Sequence, residues 1–296
     1  MSDNNLLVGS YVTNEKAPDW GVGKIVELRD GGNWRVLFEY SGVKIMPSAS
    51  LASFSPPHNH PLLKNVTPAT DLSGAKSFAV MENDFAVQFK NGGFEDPEYL
   101  KEERTYKVEA SDTLRALCSK EELDALIQAG DYAEVCARAT RPVTKTNLLF
   151  AIEVIKLADG LKRVPEAQKL FATRFYSLLH GAGEISERFN AYTEALDKLD
   201  ACKWPVATYP LFLFKPEEYP FVKPRYITEA AKAYSYDIKY EVHPSWKSYS
   251  SIIAFVHYVA GALERRGKLK PRDFIDVQGF IWSSLHASLA PKKKVA

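Results

Sequence analysis

A proline-rich segment at residues 55–61 divides the chain into two stretches whose apolar residues repeat with different periods. Pro56, Pro57 and Pro61 lie in this segment, and prolines at this density disfavour both helix and sheet. Residues 8–56 alternate as β-strands do, whereas apolar residues recur at helical spacing beyond about residue 76. We therefore predict an α+β protein: a small β domain at residues 1–55, a linker at 56–75 and a larger, mostly helical domain at 76–296.

Four or five short strands are predicted in the first stretch. A flat sheet of such short strands would expose its edges, so we expect the strands to close into a barrel. Trp34, Phe38 and Tyr40 alternate on one face of a strand, and Trp20 precedes the next predicted strand. These four aromatic side chains would either line a ligand-binding groove or fill the small core.

The glycine and aromatic spacing of this stretch resembles a small bacterial barrel domain of uncharacterised function. The resemblance rests on Val8-Gly9-x-x-Val12, Pro18-Asp19-Trp20-Gly21-x-Gly23-x-Ile25-Val26 and Val36-x-Phe38-x-x-x-Gly42-x-Lys44. It implies an SH3-like or Tudor-like fold, related to barrels attached to some DNA helicases and transcription factors. It implies no particular ligand, because such barrels bind protein, peptide or nucleic acid.

Capping signals and proline positions predict the helices of the second stretch. Ser119 begins a capping box for a helix that ends at Ala129 before Gly130, and Asp131 caps the next helix. Residues 204–214 are apolar and interrupted by prolines, so we expect an extended, partly buried strap there. Further helices are predicted at residues 146–157, 185–199, 228–233, 247–266 and from Pro271 onwards.

Residues 85–285 also resemble a widespread, largely uncharacterised bacterial helical family. The resemblance rests on Gly92-Gly93-Phe94-x-Asp96-Pro97-x-Tyr99-x-x-x-Glu103-Arg104-x-Tyr106-Lys107, Trp204-Pro205-x-Ala207-Thr208, Lys223-Pro224 and Asp273-x-Ile275-Asp276-Val277-Gln278-x-Phe280-Ile281-Trp282. No activity is established for that family, so the resemblance implies a shared fold alone.

Positive charge and aromatic rings are concentrated in the last third of the chain. Residues 201–296 carry 15 basic and 8 acidic side chains and hold 17 of the 36 aromatic residues, in a protein whose net charge is +1. Basic side chains bind the phosphate backbone of a nucleic acid, and aromatic rings stack on its bases. The predicted phosphate contacts are Arg265, Arg266, Lys268, Lys270 and Arg272, and the predicted base contacts are Tyr234, Tyr236, Trp246 and Trp282; residues 292–294 add a basic tail.

The candidate catalytic groups are carboxylates. Asp273 and Asp276 lie three residues apart on the last predicted helix, and Glu103 and Glu95 follow the glycine pair at residues 92–93. Base excision needs a carboxylate that stabilises a positively charged sugar, together with an aromatic pocket and a basic surface. Phosphate-binding loops, dinucleotide motifs and hydrolase motifs do not occur, so no cofactor is expected.

No metal site is predicted either. The three cysteines, Cys118, Cys136 and Cys202, are too scattered for a zinc site, and His58 and His60 fit a solvated linker. Together with the absence of a secretion signal or membrane span, this cysteine usage favours a bacterial cytoplasmic protein.

The leading hypothesis is a DNA-binding protein that uses the basic, aromatic helical face, with the barrel as an accessory module. A second hypothesis is a metal-independent DNA glycosylase acting on a modified base, in the manner of a phage-defence enzyme. A third is a protein-interaction adaptor in which the barrel grips a peptide. The expected partner is thus DNA or a protein, and no membrane partner is expected.

Overall fold

The computed structural model describes residues 6–56, 60–163 and 166–286. Two compact units divide the chain. Unit 1 takes in Met1–Lys90, Thr228–Ile238 and Ile281–Ala296, and unit 2 takes in Asn91–Ile227 and Lys239–Phe280. The predicted α+β class is confirmed, because a small antiparallel sheet is followed by a mostly helical region. No helix in the described ranges has the length and apolar character that a membrane crossing requires.

A five-stranded antiparallel sheet forms the first part of unit 1, in the order β4-β3-β2-β1-β5. Its strands are β1 (Tyr11–Thr13), β2 (Gly23–Leu28), β3 (Asn33–Phe38), β4 (Gly42–Pro47) and β5 (Ala52–Ser53). Val36 and Phe38 of β3 pair with Lys44 and Gly42 of β4. Val12, Ile25, Val36 and Phe38 are fully buried or nearly so, and they form the core with Leu6 and Leu51.

The predicted closed barrel is wrong. Strands β4 and β5 are the two edges of the sheet, and no pairing joins them in the described residues. Strand β5 has two residues, and both pair with β1, so it is too short to bridge to the opposite edge.

Helix α1 (Phe78–Gln88) follows the sheet and belongs to the same unit. The amide of Ala79 donates to the Tyr40 carbonyl at 3.0 Å, and the Ser77 hydroxyl donates to the same carbonyl at 2.9 Å. The Phe78 ring packs edge-on against Tyr40 and Tyr234, with centroids 5.9 Å and 5.7 Å away. Residues 76–90 and 228–238, which the sequence assigned to the helical domain, therefore group with the sheet.

Helices make up most of unit 2. Three helix ends confirm the predicted capping: Ser119 accepts from the Glu122 amide at 3.3 Å, Gly130 is left-handed at φ 72°, and Asp131 accepts from the Glu134 amide at 3.1 Å. The helices are α2 (Pro97–Tyr99), a π-helical turn (Leu100–Arg104), α3 (Thr105–Leu117), α4 (Lys120–Ala129), α5 (Tyr132–Thr140), α6 (Ala151–Arg163), α7 (Ala167–His180), α8 (Ile185–Lys198), α9 (Trp204–Phe214), α10 (Pro224–Ala233), α11 (Trp246–Arg266) and α12 (Phe274–His286).

Two of these helices pass from one unit to the other. Helix α10 has residues 224–227 in unit 2 and 228–233 in unit 1, and α12 has 274–280 in unit 2 and 281–286 in unit 1. Helix α6 begins at Ala151, later than the sequence predicted; residues 146–149 form a bend in which the Thr146 hydroxyl accepts from the Leu148 amide at 3.3 Å.

The predicted extended strap at residues 204–214 is wrong, because this segment is helix α9. Every residue from Trp204 to Leu213 is buried, so the helix has no polar face to give an amphipathic signal. Pro205 occupies the first turn, where its missing N–H removes no intrahelical bond. Pro210 lies inside the helix and is accommodated there. Burial on all sides outweighs the local propensity that suggested an extended chain.

Candidate functional site

The two predicted catalytic aspartates lie at the start of α12 in a network of charged groups. Asp273 accepts from the backbone amides of Ile275 and Asp276 at 3.0 Å and 3.2 Å, as a helix-capping carboxylate does. Its two oxygens each accept from the Arg104 guanidinium at 2.8 Å, which makes a bidentate pair. Asp273 is therefore already engaged on both oxygens.

Asp276 is fully buried and is even more completely paired. Its Oδ1 accepts from the Tyr99 hydroxyl at 2.8 Å and from Arg104 Nη1 at 3.0 Å. Its Oδ2 accepts from the Arg272 amide at 2.9 Å and from Arg272 Nε at 2.7 Å. A carboxylate held by this many donors stabilises the fold and has no oxygen left for acid–base work.

Arg272, a predicted phosphate contact, belongs to the same network. Besides Asp276, it donates to the Phe94 carbonyl at 2.9 Å and lies 3.3 Å from a Glu95 oxygen. Its charge is thus balanced within the protein. Glu95, the further carboxylate candidate, is exposed and serves as a partner of Arg272.

The environment of this network alters the ionisation of two of its members. Burial raises the pKa of the Tyr99 hydroxyl well above its ordinary value, and the Asp276 charge adds to the effect. Burial acts to lower the pKa of Arg104, but its bonds to Asp273 and Asp276 outweigh that effect and raise it. Both shifts favour the protonated forms, in which the Tyr99 hydroxyl and the Arg104 guanidinium donate to Asp276.

A second polar cluster includes Glu103 of the π-helical turn, and we call it the Lys223 cluster. It comprises Glu103, Tyr106, Lys107, Asn147, Glu153 and Lys223, all in unit 2. Lys107 is only 2% exposed, and its ammonium donates to the Glu103 carboxylate at 3.1 Å. Glu103, the third predicted catalytic carboxylate, thus lies outside the Arg104 network and has a lysine as its partner.

Lys223 is half-buried and bridges this cluster to an exposed ring. Its ammonium donates to the Asn147 carbonyl at 2.8 Å and lies 5.1 Å from the centroid of the Phe150 ring. Burial lowers the pKa of Lys223, and the charge of Lys107 lowers it further. Phe150 is 58% exposed, which leaves most of its ring available to a ligand.

Two more groups of the Lys223 cluster have shifted ionisation. Burial raises the pKa of Tyr106, and so does the Glu103 charge; its hydroxyl donates to the Asn147 side chain at 2.8 Å. Burial also raises the pKa of Glu153, whose carboxylate accepts from the Phe150 amide at 2.8 Å. Shifted groups gathered around a partly open surface are typical of functional sites.

The remaining predicted phosphate contacts lie around the end of α11. Arg265 and Arg266 form its last turn, Gly267 ends it in the left-handed conformation at φ 70°, and Lys268 and Lys270 follow. Arg265, Lys268 and Lys270 are exposed and Arg266 is half-buried, while Leu269 is buried between them. We call Arg265, Arg266, Lys268 and Lys270 the basic junction. It lies in unit 2, as does Trp246, whose ring packs against Phe189 and Tyr249.

The other three predicted base contacts belong to unit 1. Tyr234 is 5% exposed and packs on Phe78, so its ring is part of the core and is not presented to a ligand. Burial raises the pKa of Tyr234 well above its ordinary value. Tyr236 and Trp282 are half-buried.

The predicted aromatic groove of the sheet is largely occupied by the protein itself. Phe38 is fully buried and belongs to the core, and Trp20 packs edge-on against it with centroids 5.2 Å apart. The Lys44 ammonium lies 5.3 Å from the Trp20 centroid, and Trp34 Nε1 donates to the Ser48 hydroxyl at 2.8 Å. Tyr40 packs on Phe78, so these four rings do not form one open cage.

Two predictions concern residues that lie partly or wholly outside the described ranges. His58 and the basic tail at residues 292–294 are outside them. His60 is described: its Nδ1 accepts from the Leu63 amide at 3.3 Å, and its Nε2 lies 3.4 Å from Glu39.

Comparisons with protein-family models, with curated proteins and with solved structures found no match for this chain. The function therefore has to be argued from the geometry alone. The sequence named Glu103 and drew attention to Lys223 through its proline pair, but it did not indicate Asn147, Phe150 or Glu153. These three residues lie within residues 146–157, where the sequence predicted a helix but no motif marked a functional site.

Proposed function

We propose that the protein binds nucleic acid and that the basic junction supplies its phosphate contacts. The observation that carries the proposal is the accessibility of this junction. Within residues 264–272, five side chains are basic and one is acidic, and Arg272 belongs to the buried Asp276 network. Arg265, Lys268 and Lys270 reach solvent from a helix end and the loop that follows it.

Such a junction binds a phosphate backbone mainly by charge. Lysine and arginine side chains that contact phosphates release condensed counterions, which gives binding that depends steeply on salt and weakly on base sequence. The three cysteines are free thiols, which suits a protein that works beside DNA in a reducing cytoplasm.

The test is fluorescence anisotropy with labelled duplex and single-stranded DNA at low salt. In the test variant, Arg265, Arg266, Lys268 and Lys270 are all changed to Gln. The matched control changes Lys162, Arg163, Lys169 and Arg174 to Gln; these are also two lysines and two arginines, all exposed in unit 2.

We expect the junction variant to bind at least about tenfold more weakly than the control variant, which loses the same charge elsewhere. Equal weakening of the two variants would show that net charge alone attracts the DNA. Absence of binding by the unaltered protein to either DNA form would reject the proposal.

A second candidate function is base excision at the Lys223 cluster, and a specific observation favours it. Glu103 is the predicted carboxylate that stands outside the Arg104 network, and Lys223 connects its surroundings to the exposed Phe150 ring. The Phe150 ring would stack on an extruded base, and the Glu103 carboxylate would stabilise the charged sugar as its bond to the base breaks. Water would then give its hydroxyl to the sugar carbon and its proton to the departing base.

Incubation with DNA that carries a panel of modified bases, followed by cleavage at abasic sites, tests this second function. Glu103→Gln is expected to abolish cleavage, whereas Glu102→Gln is the control, because Glu102 lies in the same π-helical turn and is exposed. Intact DNA across the panel with the unaltered protein would exclude base excision and leave the binding proposal standing.

A further inference from the structure

Three side chains with metal-ligating atoms meet on the surface of unit 2. Asp197 lies at the end of α8, Cys202 in the connection to α9, and His243 in the segment before α11. One ligand atom from each lies within 4.8 Å of the other two. His243 Nε2 is 3.0 Å and 2.9 Å from the two Asp197 oxygens.

The turn after α8 places two of these ligands side by side. Asp200 is left-handed at φ 56°, and the Ala201 amide donates back to the Leu196 carbonyl at 2.9 Å. This reversal returns Cys202 to the end of the helix that carries Asp197. The backbone therefore holds the two ligands together without help from their own side chains.

The third ligand is held by bonds on either side of it. Trp204 Nε1 donates to the Glu241 carbonyl at 2.9 Å, which fixes the chain just before His243. The Trp246 amide donates to the Asn190 side chain on α8 at 2.9 Å, which fixes the chain just after it. His243 is thus positioned by neighbours that a metal would not disturb.

We propose that Asp197, Cys202 and His243 form a zinc site. Thiolate, imidazole and carboxylate are the donors that Zn²⁺ prefers, and three protein ligands with a fourth position for water is a common arrangement. A thiolate selects Zn²⁺ over the hard cations Mg²⁺ and Ca²⁺, which take oxygen ligands. The Asp197 and His243 side chains are 48% and 60% exposed, so the ion can enter from solvent.

The site was not visible in the sequence, because the three ligands follow none of the paired Cys or His spacings that mark zinc motifs. A simpler account of the geometry is an exposed His–Asp ion pair with a cysteine nearby. That account and the zinc site make different predictions for the cysteine: without a metal the Cys202 thiol is a hydrogen-bond partner of Asp197, whereas Zn²⁺ would be bound by its thiolate. The proposal is independent of nucleic-acid binding.

The test uses the full chain without an affinity tag, titrated with Zn²⁺ by calorimetry and with Co²⁺ by absorption spectroscopy. We expect one Zn²⁺ per chain, and a thiolate-to-cobalt charge-transfer band in the Co²⁺ form. Asp197→Asn, Cys202→Ser and His243→Ala should each weaken Zn²⁺ binding at least about tenfold, and Cys202→Ser should also remove the band. Glu187→Gln is the control, because Glu187 is an exposed carboxylate on α8, ten residues before Asp197.

Thermal unfolding separates loss of the site from loss of the fold. Zn²⁺ should raise the midpoint of the unaltered protein and of the Glu187 variant, and should raise that of the three ligand variants less. Folded ligand variants that still bind Zn²⁺ as tightly as the unaltered protein, or a Co²⁺ form without the charge-transfer band, would overturn the proposal.

Discussion

At the scale of single residues, the carboxylate of Asp276 is a fully buried charge in unit 2. Taking a charge out of water costs several kcal/mol, and the two arginines and Tyr99 offset that cost through direct bonds. Gly279 contributes as well, because a Cβ there would come within 2.7 Å of the Tyr99 hydroxyl oxygen. The network therefore depends on the close packing of Tyr99 against α12.

Asp276→Asn is expected to destabilise the protein by about 3–5 kcal/mol, because it removes the buried charge that Arg104 and Arg272 share and leaves Asp273 and the exposed Glu95 as their acidic partners. Urea unfolding followed by circular dichroism measures this change. Asp112→Asn, at an exposed position on α3, is the control and should cost less than about 0.5 kcal/mol. A loss as small as that of the control would mean that Asp276 is not a structural residue.

Glu153 gives a prediction about pH. Burial raises the pKa of its carboxyl above the ordinary value of 4.5, and its bond to the Phe150 amide and the charges of Lys223 and Lys203 only partly oppose this. Ionisation of Glu153 is therefore easier in the unfolded chain. Its contribution to stability is complete below pH 4.5 and declines as the pH rises through the folded-state pKa.

Glu153→Gln removes this decline, since glutamine can still accept the Phe150 bond without ionising. The free energy of unfolding of the variant, relative to the unaltered protein, should rise between pH 4 and pH 7. Urea titrations at several pH values provide the measurement. A difference that stays constant over this range would show that Glu153 ionises equally well in both states.

At the scale of secondary-structure elements, the packing of α6 depends on Gly160. A Cβ at this position would lie 2.4 Å from the Leu199 carbonyl oxygen, which belongs to the backbone just after α8 and cannot move aside. Gly160→Ala is therefore expected to destabilise the protein by about 1–3 kcal/mol, although alanine favours helix.

Gly261→Ala in α11 is the matched control for this substitution. The atom nearest to its new Cβ would be the end of the Arg265 side chain at 3.0 Å, which can move. We expect this variant to gain up to about 1 kcal/mol from helix propensity. Thermal denaturation compares the stability of the two variants. A stabilised Gly160 variant would contradict the close approach of α6 to the Leu199 backbone.

The same scale shows which elements the sequence could predict. The ends of α4 and α5 were predictable because Ser119, Gly130 and Asp131 act within a few residues of their own position. Helix α9 was not predictable from local signals, because its side chains are buried all round and two prolines interrupt it. The sheet is open and not the predicted barrel. Its edge strand β5 has only two residues, which offer few hydrogen bonds for pairing with β4 at the opposite edge.

At the scale of the whole molecule, the sites depend on contacts between distant parts of the chain. Arg104 meets Asp273 across a separation of 169 residues, and Lys223 meets Asn147 across 76. Sequence patterns named several of these residues but could not pair them, since neither periodicity nor spacing carries that information. The pairing changes the interpretation of Asp273 and Asp276 from candidate catalysts to structural groups, and leaves Glu103 as the carboxylate in a partly open cluster.

The charge distribution also acts at this scale. The protein has a net charge of only +1, so long-range attraction between the whole chain and a polyanion is weak. Binding by the basic junction would therefore be local, and its salt dependence should report directly on the number of phosphates that the junction contacts.

The salt dependence of DNA binding tests the central claim most directly. The logarithm of the binding constant is measured against the logarithm of salt concentration for the unaltered protein, for the junction variant and for the control with Lys162, Arg163, Lys169 and Arg174 replaced. Our account predicts a slope that is smaller by about 3–4 in the junction variant and unchanged in the control. Equal slopes for all three proteins would contradict it.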